Sequence, residues 1–244
     1  MTAVRIEIRS KHYRAAPGGE RKAVLKNLAL ELGAGEFVCL VGPSGCGKTT
    51  LLNIVAALDR DFEGSVRIGG RRAPRIGYVF QNPRLLPWRT VRENIALALP
   101  RGVDPAYVDH LFDVMGLSAA RDAYPERLSL GMSRRVALVR AFAINPDLLL
   151  MDEPFVSLDP PTARRVRELL IRLWRERPHT VLFVTHELRE AIQLADRLVF
   201  LGPPPTSVVA DIPVTLAREA RDENAIEDFR KALQRDQPAL RGLL

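Results

Sequence analysis

Several things are scarce in this chain of 244 residues, and each scarcity excludes something. There are two cysteines, Cys39 and Cys46, on one short stretch, so a disulfide scaffold is excluded and a reducing compartment is expected. No apolar run approaches the ~18 residues of a membrane-spanning helix, and the opening Met1-Thr2-Ala3-Val4-Arg5 lacks the apolar core of a secretory leader. The chain is therefore expected neither to span nor to cross a membrane. Aromatic residues make up 6%, and they do not interleave with basic ones as a nucleic-acid surface requires. Heptad runs, internal repeats and low-complexity tracts are lacking as well, which leaves an ordinary globular protein with a sizeable core.

Charge is present in excess of one sign. Lysine and arginine number 36 against 29 acidic residues, a formal +7. Nine arginines fall between Arg60 and Arg101 against Asp61, Glu63 and Glu93, whereas the tail from Thr206 has six basic and seven acidic residues. Any charged docking face is expected in the middle of the chain, and without a nucleic-acid motif these arginines read as solvated surface.

Short β-branched apolar runs at 37–41, 76–80, 148–151, 181–185 and 198–201 alternate with longer segments of helical spacing. That alternation predicts an α/β fold with a mostly parallel sheet. Period-two alternation at 4–9, 27–32 and 65–68 predicts a smaller antiparallel sheet at the N-terminal side. Residues 90–145 hold no convincing strand, but 91–99, 106–115 and 133–144 have helical patterns between Pro and Gly punctuation, which predicts an inserted helical subdomain. The expected division is 1–89, 90–145, 146–205 and a tail, 206–244, in which 224–234 reads as a polar helix. The run Gly202-Pro203-Pro204-Pro205 is expected to end the sheet.

Two motifs carry chemistry. Gly42-Pro43-Ser44-Gly45-Cys46-Gly47-Lys48-Thr49 fits the P-loop pattern, follows an apolar strand and opens an apolar helix at Thr50-Leu51-Leu52. Its glycines let backbone N–H groups turn inward around phosphate oxygens, Lys48 neutralises the outer phosphates, and Thr49 offers a hydroxyl to Mg²⁺. Cys46, among those amides and near Lys48, is expected to be the more reactive thiol, and Cys39 the slower. The strand 148–151 ends in Asp152 and Glu153. Asp152 suits holding Mg²⁺, and Glu153 suits polarising the water that attacks the γ-phosphate.

With these residues on the page the chain resembles the ATP-binding subunit of an ABC transporter, over nearly its whole length. Gln81 matches the Q-loop, Leu128-Ser129-Leu130-Gly131-Met132 occupies the signature position, Ser157-Leu158-Asp159 matches the D-loop, and His186 matches the switch histidine. The resemblance implies a P-loop NTPase core, ATP and Mg²⁺, and a head-to-tail homodimer with each ATP between the P-loop of one subunit and the signature motif of the other. It implies that Gly42, Pro43, Ser44, Gly45, Cys46, Gly47, Lys48, Thr49 and Thr50 hold nucleotide, and that Thr49, Gln81 and Asp152 hold Mg²⁺. Catalysis falls to Lys48, Gln81, Glu153 and His186. Ser129, Gly131 and Met132 approach the γ-phosphate across the dimer, with Asp159 directed to the partner subunit. Independently of the resemblance, Ser129 is able to cap a helix starting at Ser133 or just before it, with Arg135 adding charge near its start. Tyr13 matches the adenine-stacking aromatic, with His12 beside it as an alternative.

Leu130 and Met132 stand where the family's usual signature has glycine and glutamine, so altered affinity or rate is expected. The segment Gln81-Asn82-Pro83-Arg84-Leu85-Leu86-Pro87-Trp88-Arg89-Thr90-Val91 resembles importers of nitrate, taurine and other sulfonates. That subgroup implies a transmembrane permease, an extracytoplasmic solute-binding protein and a place on the cytoplasmic face of the cell membrane. Leu85, Leu86 and Trp88 then read either as anchors of a groove for a permease helix or as subdomain core. Two other functions stay open: a soluble ABC ATPase acting on nucleic acid or ribosomes, and a weakly hydrolysing regulatory module. One P-loop and no coiled-coil run count against the first, with no nucleic-acid partner expected; Glu153 and His186 count against the second.

Overall fold

Val4, Ile6 and Ile8 are buried while Arg5, Glu7 and Arg9 are exposed, so the first strand presents one apolar edge every second residue. In the computed structural model, which describes residues 2–14, 21–69, 73–237 and 240, this strand is β1 (Thr2–Arg14). It lies antiparallel between β2 (Arg21–Gly33) and β4 (Glu63–Ile68), and β3 (Phe37–Val41) and α1 (Lys48–Val55) fall between those two in sequence. β1 and β2 run beyond the apolar alternation because the backbone ladder continues through polar residues. There Lys11 takes a core-facing place, 2% exposed. Its ammonium donates to the Asp59 carboxylate at 2.8 Å and the Asp61 carbonyl at 2.7 Å, which replaces the hydration it loses.

The chain forms two units, Met1–Arg71 with Thr180–Leu244, and Arg72–His179. In the second unit β5 (Ile76–Val79) pairs parallel with β6 (Leu148–Asp152). Between them come α2 (Val91–Ala96), α3 (Pro105–Val114) and α4 (Leu130–Ala143), and α5 (Pro160–Glu176) follows. Each helix starts where a capping side chain satisfies a free N–H: Thr90 with Glu93 in a reciprocal capping box, then Asp104, Ser129 and Asp159. A Cβ on Gly77 of β5 would lie 2.7 Å from the Ala141 carbonyl oxygen, so α4 packs on this strand at a distance only glycine allows.

The chain returns to the first unit with β7 (Thr180–Thr185), α6 (Leu188–Leu194), β8 (Arg197–Leu201), β9 (Val208–Pro213) and α7 (Glu223–Asp236). β3 lies between β7 and β8, parallel to both, and all five of its residues are buried, as expected of a strand covered on both faces. Phe37 and Phe183 meet edge to face with ring centroids 6.1 Å apart. The Pro-rich run does not end the sheet. It turns the chain back so that β9 pairs antiparallel with β8, from Arg197 opposite Pro213 to Leu201 opposite Val208. β9 buries no residue fully, so it lacks the continuous apolar run that marks the other strands. Arg197 secures this edge through the carboxylates of Glu36 and Asp211, each at 2.6 Å. No helix among the described residues is long and apolar enough to cross a membrane.

Phe183→Ala removes a fully buried ring from this core. Thermal unfolding followed by circular dichroism should show a loss of about 3–5 kcal/mol and a clearly lowered melting temperature; an unchanged midpoint would contradict the packing described.

Candidate functional site

β3 delivers the chain to Gly42, where a Cβ would lie 2.9 Å from the Leu201 carbonyl oxygen and 3.1 Å from Cys46 Sγ. Gly45 and Gly47 then take φ of +76° and +100°, a left-handed backbone that side chains disfavour. Gly47 is also the N-cap of α1. It provides no capping side chain, and the first turn of α1 contains no acidic residue, so the positive end of the helix has no anionic or side-chain partner of its own. Lys48 begins the helix, 6% exposed, and its ammonium donates to the carbonyls of Gly42 at 2.8 Å and Pro43 at 3.0 Å. Left-handed glycines, an uncapped helix start and a buried ammonium make a cradle whose chemistry fits a polyphosphate. Thr49 is exposed beside it, and the Thr50 hydroxyl lies 3.4 Å from the Tyr13 hydroxyl.

The support of this loop comes from residues that carry no motif. A Cβ on Gly47 would meet Val24 Cγ1 at 2.8 Å and Leu25 Cδ2 at 3.0 Å, so β2 lies directly beneath the turn. Thr206, fully buried, donates its N–H to Val24, accepts from the Lys26 N–H, and donates its hydroxyl to the Cys46 carbonyl. Cys46 is the less raised of the two thiols, in line with the expected order, but the activation expected from its position beside Lys48 is not found. Its side chain is fully buried, and desolvation raises the thiol above its usual range, outweighing Lys48 and the backbone hydrogen bonds. Cys39 is raised further, first by burial and then by Glu190.

Tyr13 is exposed, with the Lys11 ammonium 4.6 Å from its ring centroid and the Asp59 carboxylate accepting from its hydroxyl at 3.2 Å. It thus sits beside α1, and His12 is exposed next to it. His186 is exposed on the turn after β7. That turn is fixed by buried Thr185, whose hydroxyl donates to Glu190 Oε2 at 2.8 Å and accepts the Glu187 N–H at 3.0 Å.

The remaining motif residues belong to the second unit. Asp152 ends β6 buried, Glu153 follows with φ of +44°, and Ser157 has φ of +65°. A tight turn results, with the Val156 N–H donating to the Glu153 carbonyl at 3.3 Å. Asp159 caps α5 by accepting the Thr162 N–H at 3.0 Å, and hydrogen bonding to Thr162 holds its carboxyl below the usual range. Ser129 caps α4 by accepting the Met132 N–H at 3.2 Å, so the helix starts at Leu130 and not at Ser133. The apolar pattern hid that first turn, because Leu130 points out, 43% exposed. A Cβ on Gly131 would lie 2.6 Å from Thr162 Cγ2, so this glycine is demanded by α5. Arg135 lies near the helix start, its Nε donating to the Gly131 carbonyl at 3.4 Å while its Nη1 donates to the Met115 carbonyl at 2.6 Å.

Gln81 is exposed just past β5, and the loop after it is held by side chains that belong to no motif. Arg140 donates to the carbonyls of Pro83 at 2.7 Å and Arg84 at 3.0 Å. Buried Asn94 accepts the Leu86 N–H at 2.7 Å and donates to the carbonyls of Leu86, Arg89 and Thr90. Leu85 and Leu86 are half-buried, whereas Trp88 stands 68% exposed, which removes it from the subdomain core.

Two outcomes test this geometry. In the folded protein, iodoacetamide should label Cys46 and Cys39 slowly at neutral pH, with rates rising only above the ordinary thiol range; mass spectrometry of the labelled peptides reads this, and rapid neutral labelling of Cys46 would contradict its burial. Gly131→Ala should lower the melting temperature, and adding Thr162→Ser should recover most of the loss by removing the clashing methyl; two losses that simply add would show that the residues do not meet.

The ABC transporter family profile matches residues 25–156, more than half of the chain. The chain is 42% identical over 222 residues to the aliphatic sulfonates import ATP-binding protein SsuB of Bacillus subtilis (strain 168), covering 88% of this chain and 86% of that one. A second protein of that name, from Pseudomonas syringae pv. tomato, is 44% identical over 202 residues, covering 82% and 85%. Among solved structures, the ATP-binding cassette MJ0796, a dimer in a post-hydrolysis state bound to ADP and Pi, superimposes with a TM-score of 0.75 at 31% identity, covering 88% of this chain and all of that one. The same cassette in another dimeric structure gives 0.76 at 32%. This chain belongs to the ABC transporter family and has its α/β ATPase fold.

Proposed function

We propose that the protein is the ATP-hydrolysing subunit of an importer of aliphatic sulfonates or a similar small solute such as taurine or nitrate. The observation that carries the reading is the P-loop itself: left-handed Gly45 and Gly47, an uncapped α1 and a buried Lys48 present positive potential at one point. Its setting in a chain 42–44% identical to sulfonate import ATP-binding proteins supports the transport role.

In this reading the loop amides from Gly42 to Thr50 hold the ATP phosphates, Lys48 leaves the carbonyls of Gly42 and Pro43 for the outer phosphates, and Tyr13 stacks on the adenine. Thr49, Asp152 and Gln81 would hold Mg²⁺, which when bound neutralises phosphate charge and polarises the phosphoryl oxygens. Glu153 accepts a proton from the attacking water, and His186 donates a hydrogen bond to the γ-phosphate. Two copies act together. Ser129, Gly131 and Met132, at the N-terminus of α4, face the ATP held by the partner copy, and Asp159 faces the partner as well. A solute-binding protein selects the solute outside, and the subunit sits on the cytoplasmic face of the membrane through its permease. Trp88, displayed by the Asn94-held loop together with half-buried Leu85 and Leu86, is the apolar anchor suited to that contact.

The test separates binding from chemistry. Lys48→Ala should lose nucleotide binding, measured with a fluorescent ATP analogue, whereas Glu153→Gln should bind ATP, turn over at a small fraction of the wild-type rate and elute as a dimer on size exclusion with MgATP. Ser129→Ala should lower kcat ~10²-fold while ATP affinity changes little, because it removes one preorganised donor. Wild-type turnover by Glu153→Gln would overturn the hydrolytic assignment.

A further inference from the structure

Arg134 lies on the second turn of α4, five residues beyond the cap Ser129, and only 4% of it is exposed. Its guanidinium is directed at backbone carbonyls and not at a carboxylate. One terminal nitrogen, Nη1, donates to the Gln81 carbonyl and lies 3.4 Å from the Phe80 carbonyl; the other, Nη2, donates to the Val156 carbonyl at 3.2 Å. Val156 is the residue whose own N–H closes the turn begun by Glu153. One planar fork therefore touches the backbone of Gln81, is two hydrogen bonds from the backbone of Glu153, and belongs to the helix that Ser129 caps.

A buried cation with no carboxylate partner among the described residues is a costly way to fasten loops, and its cost is visible in two places. Nε is buried without a hydrogen-bond partner, and desolvation lowers the guanidinium below its usual range. A side chain serving only to fill space would be apolar at less cost, and a lysine could not supply two divergent donors from one plane. The neighbouring Arg135 and Arg140, on the same helix, each bind carbonyls of a single chain segment besides their own helix: Met115 with Gly116, and Pro83 with Arg84. Arg134 alone among these three binds two segments, and each of the two carries a residue assigned to hydrolysis.

We infer that Arg134 is the positioning residue that sets Gln81 and the Glu153 turn, which act on this copy's own ATP, in register with the Ser129-capped helix that faces the ATP of the partner copy. Its guanidinium meets backbone carbonyls, and it works through the backbone of Gln81 and of the Glu153 turn. The inference rests on the hydrolytic reading of Glu153 and Gln81 given above.

Purified full-length Arg134→Lys and Arg134→Met variants are compared with wild type and Glu153→Gln for ATP affinity, kcat, the Mg²⁺ concentration at half-maximal rate, and melting temperature. In both Arg134 variants kcat should fall at least 10-fold and the Mg²⁺ requirement rise severalfold, because the Gln81 backbone loses its donor. ATP affinity should stay within about threefold, since the P-loop is untouched. A kcat and Mg²⁺ requirement equal to wild type in either variant would overturn the inference. So would losses of kcat that track lost folded protein with an unchanged Mg²⁺ requirement, the mark of a merely structural residue; Arg134→Lys, which keeps the charge and most of the volume, allows this reading even where Arg134→Met fails to fold. If Glu153→Gln itself turns over at the wild-type rate, it is the hydrolytic reading that fails, and the inference falls with it; an inactive Glu153→Gln beside fully active Arg134 variants removes the positioning role alone.

Discussion

The start of α1 is the constraint on which the first unit depends. A helix normally covers its first N–H groups with a capping side chain, as α2, α3, α4, α5 and α7 do here. α1 opens with Gly47 instead, and its positive end follows a loop whose Gly45 and Gly47 are left-handed. Such an arrangement is stable only when the surrounding chain holds it rigidly. β3 supplies a fully buried strand to deliver it, β2 closes against Gly47, and Thr206 reaches from the β8–β9 connection to the Cys46 carbonyl. Each contact replaces local stability that the loop gives up by leaving its donors for an anion.

The second unit solves a different problem, that of holding irregular backbone close to a sheet. Between Arg72 and His179 the sequence has no lysine, only arginine. The guanidinium offers several donors in one plane and is more weakly hydrated than an ammonium, so it can be buried against carbonyls that no ladder satisfies. Arg134, Arg135 and Arg140 use α4 as a common base and together take up carbonyls at Gln81, Pro83, Arg84, Met115 and Val156. Others of the basic middle region are paired within the unit, Arg89 with Glu93 and Arg92 with Asp122. The three arginines of α4 thus serve as a backbone-fastening material.

This explains what could be read without coordinates. Apolar strands announce themselves, so β3, β5, β6, β7 and β8 were legible to within a residue or so, and with them the order of the motifs they carry. The P-loop was legible because its glycines have a stereochemical reason visible in the spacing. The start of α4 was not, since Leu130 is an apolar residue facing outward on a turn set by Ser129. β9 escaped notice because an edge strand with half its surface in solvent has no continuous apolar run. The supporting residues, Thr206, Asn94, Glu190 and Arg134, were invisible for a common reason. Each belongs to no motif: Thr206 and Arg134 work through backbone groups far away in sequence, Asn94 through the loop just before it and Glu190 through the Thr185 hydroxyl, and nothing local distinguishes a buried arginine from the exposed ones around it.

The two tryptophans of the chain occupy opposite extremes of one unit. Trp174 is 9% exposed, with its indole N–H donating to the His179 carbonyl at 2.8 Å, while Trp88 stands in solvent on the loop that Asn94 secures. Their emission is therefore separable by wavelength and by quenching with iodide, the buried indole blue-shifted and protected, the exposed one red-shifted and accessible. The protein carries an intrinsic optical pair in which one ring registers the integrity of the fold and the other registers whatever covers its outer face, without any label being attached.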